Sequence, residues 1–187
     1  MLVVCHSSEQ RGFISCGRRP YNAVMKTSPP TSALLLVNLI STWFLVGLIW
    51  VVQLVHYPLF AKAGGGEWDG YHRQHMKMIT VIIAPVMFIE ALAAVALVFA
   101  ARGFPATAKV CVWTAGALVL VNWFSTAGVQ VPLHNELGQA WDATVVKRLV
   151  ASNWIRTGAW TIRGLLLVYV GWQVWVIGTA RARGLVG

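Results

Sequence analysis

Between Lys26 and Lys62 the chain carries no formally charged residue, and the same holds from Val110 to Asn135. Met78 to Ala101 contains one charge, Glu90, and Thr157 to Ala180 contains one, Arg163. Segments this long and apolar need either a large core or lipid, and composition decides between them. Hydrophobic residues make up 57% of the chain and charged ones 11%, where a soluble domain carries about 25% charged residues. Each stretch can cross a hydrocarbon core of ~30 Å as a helix of about 20 residues. In lipid every backbone N–H and C=O must find a partner inside the structure, which leaves helices or a closed barrel. The short alternating segments of a barrel are absent from the sequence. The expected fold is therefore all-α: a polytopic membrane protein with four transmembrane helices in an up-and-down bundle.

The spans are expected near residues 33–56, 78–100, 110–131 and 154–177. Ala101 to Lys109, with Gly103 and Pro105, is long enough to reverse the chain between the second and third. Residues 31–180 form the membrane domain and 181–187 a C-terminal tail. Residues 1–30 form an N-terminal extension with no spanning run, and three readings of it are open. It is an over-extended start with Met25 as the natural first residue, a targeting segment poor in acid, or a disordered tail. Cys5, Cys16 and His6 lie in it without a recognisable role, and Cys111 reads as a small packing residue.

The net charge of +9 belongs to flanks and loops, where anionic lipid and topology account for it, so no nucleic-acid partner is expected. Arg11, Arg18, Arg19, Lys26, Arg102, Lys109, Arg181 and Arg183 fall on the side of the termini. Lys62, Arg73, Lys77, Lys147, Arg148 and Arg156 fall on the other. With weight given to the first helix, both termini are expected in the cytoplasm of a bacterial plasma (inner) membrane. Trp68, Trp141, Trp154 and Trp175 suit interfacial belts.

Polar residues within spans are costly unless they face the bundle interior. Thr42, Val46, Ile49, Gln53 and His56 share one helical face, so Gln53 and His56 are expected to point the same way. His72, His75, Ile79, Ile83, Val86 and Glu90 form a second stripe; Pro85 within it frees a carbonyl one turn earlier and marks a candidate kink. Asn122, Thr126, Gln130 and His134 form a third, and Asn153, Arg156, Trp160 and Arg163 a fourth. Glu90 and Arg163 each lie about 14 to 18 Å along helices that enter from the same side, at 1.5 Å per residue. They are a candidate intramembrane ion pair.

Four of the five histidines, His56, His72, His75 and His134, fall at one rim, on the side away from the termini. Imidazole ligates transition metals or haem, and two histidines on adjacent turns can reach one ion. Glu136 or Gln53 would then serve as an oxygen ligand or a partner to the ligands. The competing readings are a general base and histidines bonded to loop carbonyls and lipid phosphates.

The segments Trp50 to Phe60 (WVVQLVHYPLF), Tyr71 to His75 (YHRQH), Pro85 with Glu90, Gln130 to His134 (QVPLH) and Leu149 to Thr157 (LVASNWIRT) resemble a group of small four-helix bacterial integral membrane proteins. That group is distantly similar to the anthrone-oxygenase-like membrane family. The resemblance covers about Thr31 to Ile177 and implies oxidation of polycyclic aromatic substrates to quinones; the family's Asn-Trp near the start of the last helix is matched by Asn153-Trp154. It transfers no catalytic set.

The expected site is a polar, histidine-rich pocket at the outer face. Its candidate catalytic residues are His72, His75, Arg156, Glu90 and Arg163. Gln53, Asn122, Gln130 and Asn153 are candidate ligand-binding residues, and His56, His72, His75 and His134 candidate metal ligands. Three functions fit: an oxidoreductase or oxygenase for an apolar, quinone-like molecule, a non-catalytic membrane scaffold or assembly factor, and a small oligomeric transporter using Glu90. Lipids are expected partners in each case, with an apolar small molecule in the first.

Overall fold

A computed structural model describes residues 28–64 and 66–182, with side chains through residue 176. Residues 1–27, including Cys5, His6, Cys16 and Met25, lie outside the described residues, as do residues 183–187 of the tail. Among the described residues all regular structure is helical.

Three helices are long and apolar enough to cross a membrane: α1 (Pro29–Phe60), α2 (Trp68–Gly103) and α3 (Ala106–Leu137). A fourth long helix, α4 (Ala143–Ala182), completes the structure. Each helix packs against the next in chain order, and α4 closes back onto α1. Polar stripes that were expected to face inward do so. Thr42, Gln53, Glu90, Asn122, Gln130, Asn153, Arg156 and Arg163 are all buried.

Two helices change their winding at prolines. α1 opens into a π-helical turn over Val52–His56, just before Pro58. α3 does the same over Thr126–Gln130, just before Pro132. Proline has no N–H to donate and its ring collides with the carbonyl four residues earlier. Widening the turn by one residue relieves that collision and re-aims the side chains around it. Pro85, by contrast, sits inside a continuous α-helical stretch, Trp68–Ala100.

The π turn in α1 corrects one expectation. Gln53 and His56 do not point the same way, because the extra residue rotates the helix between them. The buried stripe instead runs Val46, Ile49, Gln53, Tyr57 and Phe60. Gln53 faces α4, where its side-chain amide donates to the carbonyl of Val150 at 3.2 Å. His56 turns toward α2.

Helix ends are closed by side chains. The indole N–H of Trp141 donates to the carbonyl of Phe60, at the end of α1, at 3.0 Å. That of Trp68 donates to Leu137, at the end of α3, at 2.8 Å. These carbonyls have no partner within their own helices, so Trp68 and Trp141 serve as caps rather than as the lipid-facing belt expected of them. Trp154 and Trp175 do face outward, 48% and 59% exposed. Asp142 caps α4 by accepting from the backbone N–H groups of Thr144 and Val145. Those bonds hold its carboxyl below the ordinary aspartate value.

Two apolar cores fill the interior. One contains Leu45, Ile49, Phe60, Met87, Leu149 and Trp160. The other, nearer the opposite end, contains Leu35, Leu97, Val112, Leu167 and Val170, with Cys111 packed against it.

Candidate functional site

Between the two cores lies the deepest polar layer. Arg163 and Glu90 are 1% and 0% exposed and pair at 2.9 Å through Nε and Oε1. The guanidinium also donates to the carbonyl of Ala115 at 2.6 Å and to Asn38 Oδ1 at 2.7 Å. Thr42 donates to Glu90 Oε1 at 2.8 Å, and the Trp160 indole to Oε2 at 3.1 Å. All four helices therefore meet on one ion pair, and both carboxylate oxygens are occupied. A buried pair contributes little in net terms but penalises the loss of either partner. This arrangement gives Glu90 and Arg163 a bonding role between helices and holds them apart from the histidines. Fifteen residues of helix, about 22 Å, separate Glu90 from His75.

One level toward the rim, Gln53, Asn153, Arg156 and Thr157 form a second group. Asn153 donates to Gln53 Oε1 at 2.9 Å, and Arg156 Nη1 donates to Asn153 Oδ1 at 3.1 Å. Arg156 also lies over the Trp160 ring, 5.1 Å from its centroid.

At the rim the four histidines do come together, as two bonded pairs. His56 Nε2 and His75 Nδ1 are 2.8 Å apart, and His72 Nε2 and His134 Nδ1 are 3.2 Å apart. His134 Nε2 reaches the Tyr57 hydroxyl at 3.0 Å, and that hydroxyl donates to Gln130 Oε1 at 3.4 Å. Gln130 Nε2 in turn donates to Ser152 Oγ at 3.0 Å. With neutral imidazoles these bonds have one consistent direction. Tyr57 donates to Gln130, so His134 donates from Nε2 to Tyr57 and accepts at Nδ1 from His72. The result is a directed hydrogen-bonded relay from His72 to Ser152.

Phe60, fully buried, sits edge-on to all four imidazoles. Its ring centroid is 5.0, 5.1, 6.2 and 6.3 Å from those of His56, His75, His72 and His134. Among the described residues, no group of three or more His, Cys, Asp or Glu is placed to hold a metal ion. Glu136, the expected oxygen ligand, lies 3.7 Å from Arg148. The four candidate metal ligands, His56, His72, His75 and His134, meet as two hydrogen-bonded pairs packed around Phe60. His134 has both ring nitrogens engaged, whereas Nε2 of His75 is buried without a partner.

A cavity of about 300 Å³ adjoins this relay between α2 and α3. Ile79, Ile83, Met87, Phe88 and Trp123 give it apolar walls, while Tyr57, Gln130, His134 and Arg156 supply its polar groups. Phe88 and Val131, 58% and 42% exposed, stand at its open side. Comparison with protein-family models, with curated proteins and with solved structures finds no match. What this site does must be read from its own chemistry.

Of the expected ligand-binding residues, Gln130 reaches the cavity. Gln53 and Asn153 are bound to each other behind Arg156. Asn122 is fully buried, and its side-chain amide has no hydrogen-bond partner on either atom. Among the expected catalytic residues, Arg156 lines the cavity, His72 reaches it through His134, and His75 stacks on His56 with its Nε2 buried and unpartnered. Tyr57, Phe60 and Trp123 were not singled out by sequence reasoning. A signal for Tyr57 is its place directly before Pro58, where a disturbed turn is expected. Phe60 carries no comparable mark.

Proposed function

We propose that the protein is a four-span membrane oxidoreductase that binds an apolar, oxygen-bearing aromatic molecule of the hydroquinone–quinone type. The observation that carries this reading is the cavity between α2 and α3, apolar along its walls and open at its side, with Tyr57, Gln130, His134 and Arg156 gathered in it. Such a site admits a molecule from lipid and recognises only its oxygens. Spanning by α4 is supported by the internal pairing of Arg163, which removes the charge that would otherwise oppose insertion. Four spans put both termini on one side, which the basic N-terminal flank assigns to the cytoplasm, and the cavity then opens sideways into lipid in the outer half of a bacterial plasma membrane.

The chemistry follows from the bonded groups. Proton transfer uses the opposite tautomer of the relay, with His134 protonated at Nδ1 and bonded to an unprotonated His72 Nε2. Tyr57 takes a proton from the aromatic hydroxyl while passing its own to the free His134 Nε2, and His134 Nδ1 releases its proton to His72 Nε2. Arg156 holds the anion formed. Dioxygen is the oxidant: the hydroquinone loses two O–H protons and two electrons, its two C–O bonds become carbonyls, and O2 becomes H2O2. The quinone product leaves by the open side.

The full chain in lipid nanodiscs, supplied with an alkylated hydroquinone, is expected to consume oxygen and form quinone and peroxide in equal amounts. Tyr57→Phe and Arg156→Gln are each expected to lower that rate while leaving helix content intact. If neither hydroquinone nor quinone binds the wild-type protein, the reading fails.

A further inference from the structure

A second cavity lies on the same seam between α2 and α3, toward the end where α2 finishes. It measures about 690 Å³ and is bordered by Ala94, Val98, Phe99, Trp113 and Gly116. Gly116 forms part of its floor; a Cβ there would meet Val98 Cγ2 at 3.1 Å. The absent side chain keeps the seam hollow. Val95, Phe99, Trp113 and Leu120, each more than half exposed, leave it open along its length.

Trp123 borders both cavities, and its ring meets that of Phe88 across the seam, 4.9 Å between centroids, so the two compartments adjoin at that contact and share one lipid-facing seam. The seam from Gln130 to Trp113 follows α3 for about 25 Å at 1.5 Å per residue. Its two ends differ in chemistry. The first compartment has the polar groups of the relay; the second is bordered by apolar side chains and small residues. Two residues of the first compartment, Arg156 and Trp123, hold buried N–H groups, Nε and Nε1, that have no acceptor in the protein. Unpartnered buried donors call for an acceptor, and carbonyl oxygens of a quinone are acceptors only.

We infer that the groove binds a tailed quinone, with its head among Tyr57, Arg156 and Trp123 and its long alkyl or isoprenoid tail along Gly116 and Ala117. The inference rests on the oxidoreductase reading for the head and adds the substrate class: the molecule is a lipid-soluble quinone or its quinol, not a tail-free aromatic. Trp123 marks the junction, where its indole N–H meets a head oxygen and its ring covers the first carbons of the tail. An acyl chain of a bilayer lipid also suits the apolar compartment alone, but leaves both unpartnered donors unanswered.

The test uses the full chain in nanodiscs of saturated phosphatidylcholine. Radiolabelled benzoquinones sharing one head, with no tail or a ten-carbon tail, are bound to it, with partition into empty nanodiscs subtracted. Compared at equal concentration within the lipid, the tailed quinone is expected to bind about tenfold more tightly, because the groove packs the tail more closely than fluid acyl chains do. Ala117→Phe fills the second compartment from an exposed position and is expected to abolish that preference without changing tail-free binding. Val95→Trp does the same from the opposite wall, and circular dichroism confirms that both variants fold. The inference is overturned if tail length has no effect in the wild type, or if both variants keep the preference. It is equally overturned if the variants lose co-purified phospholipid while quinone affinities stay unchanged. Tail-free binding that persists in those cases leaves the oxidoreductase reading standing; failure of every quinone and quinol to bind removes both.

Discussion

The Tyr57 hydroxyl lies 3.0 Å from His134 Nε2, and this contact couples the cavity to the histidine cluster. Tyr57→Phe keeps the ring and removes the hydroxyl that joins His134 to Gln130. The expected loss of turnover is about 10²- to 10⁴-fold, the usual worth of a positioned proton-transfer group. Oxygen-electrode rates with an alkylated hydroquinone measure it. A rate within twofold of wild type would assign proton transfer to another group.

Replacing one member of the buried ion pair is expected to be far worse than replacing both. Glu90→Leu leaves the Arg163 guanidinium buried without its counter-charge and costs about 3 to 5 kcal/mol. Glu90→Leu combined with Arg163→Met removes both charges and is expected to regain a large part of that loss. Equilibrium unfolding in mixed micelles compares the single and double variants. Additive losses would mean that the two residues act independently.

Histidines bonded in pairs around Phe60 predict a protein that works without a transition metal. Elemental analysis of protein purified from its native membrane is expected to give well under one such ion per chain, and dialysis against a chelator to leave turnover unchanged. Phe60→Ala is expected to cost about 3 to 5 kcal/mol, the range for removing a buried aromatic ring. Stoichiometric metal bound through the imidazoles would require the pairs to open.

The cap at Asp142 supplies a pH dependence whose sign is set by its carboxylate. Hydrogen bonds from Thr144 and Val145 lower its value in the folded protein relative to the unfolded chain. Its contribution is therefore present above the unfolded value and is lost as the pH falls through the folded one. Acidification below the ordinary aspartate range is expected to fray the first turn of α4, seen as faster amide exchange at Thr144 and Val145. Asp142→Asn, which caps without a charge, is expected to remove the pH dependence while keeping protection.

Much of this architecture was legible in the chain because lipid permits few solutions. Long uncharged segments must be helices, and costly polar residues on one helical face must turn inward. The depths of Glu90 and Arg163 followed from counting residues, since helical rise is constant. Counting failed where the rise and the rotation change. The π turns before Pro58 and Pro132 re-aim Gln53, His56 and Tyr57, and periodicity carries no sign of the inserted residue.

By itself the sequence marked most of the buried polar groups and the helix on which each stands, because an unpaired polar atom in an apolar setting is costly in any arrangement; the buried Tyr57 and Asn38 were not among them. Only the tertiary structure decided who meets whom. It paired the histidines with each other and set Phe60 among them. It enclosed Glu90 and Arg163 in a saturated layer, and it brought Tyr57, Arg156 and Trp123 to one groove. Those outcomes depend on helix rotation and side-chain packing across neighbours, which no single stretch of chain encodes.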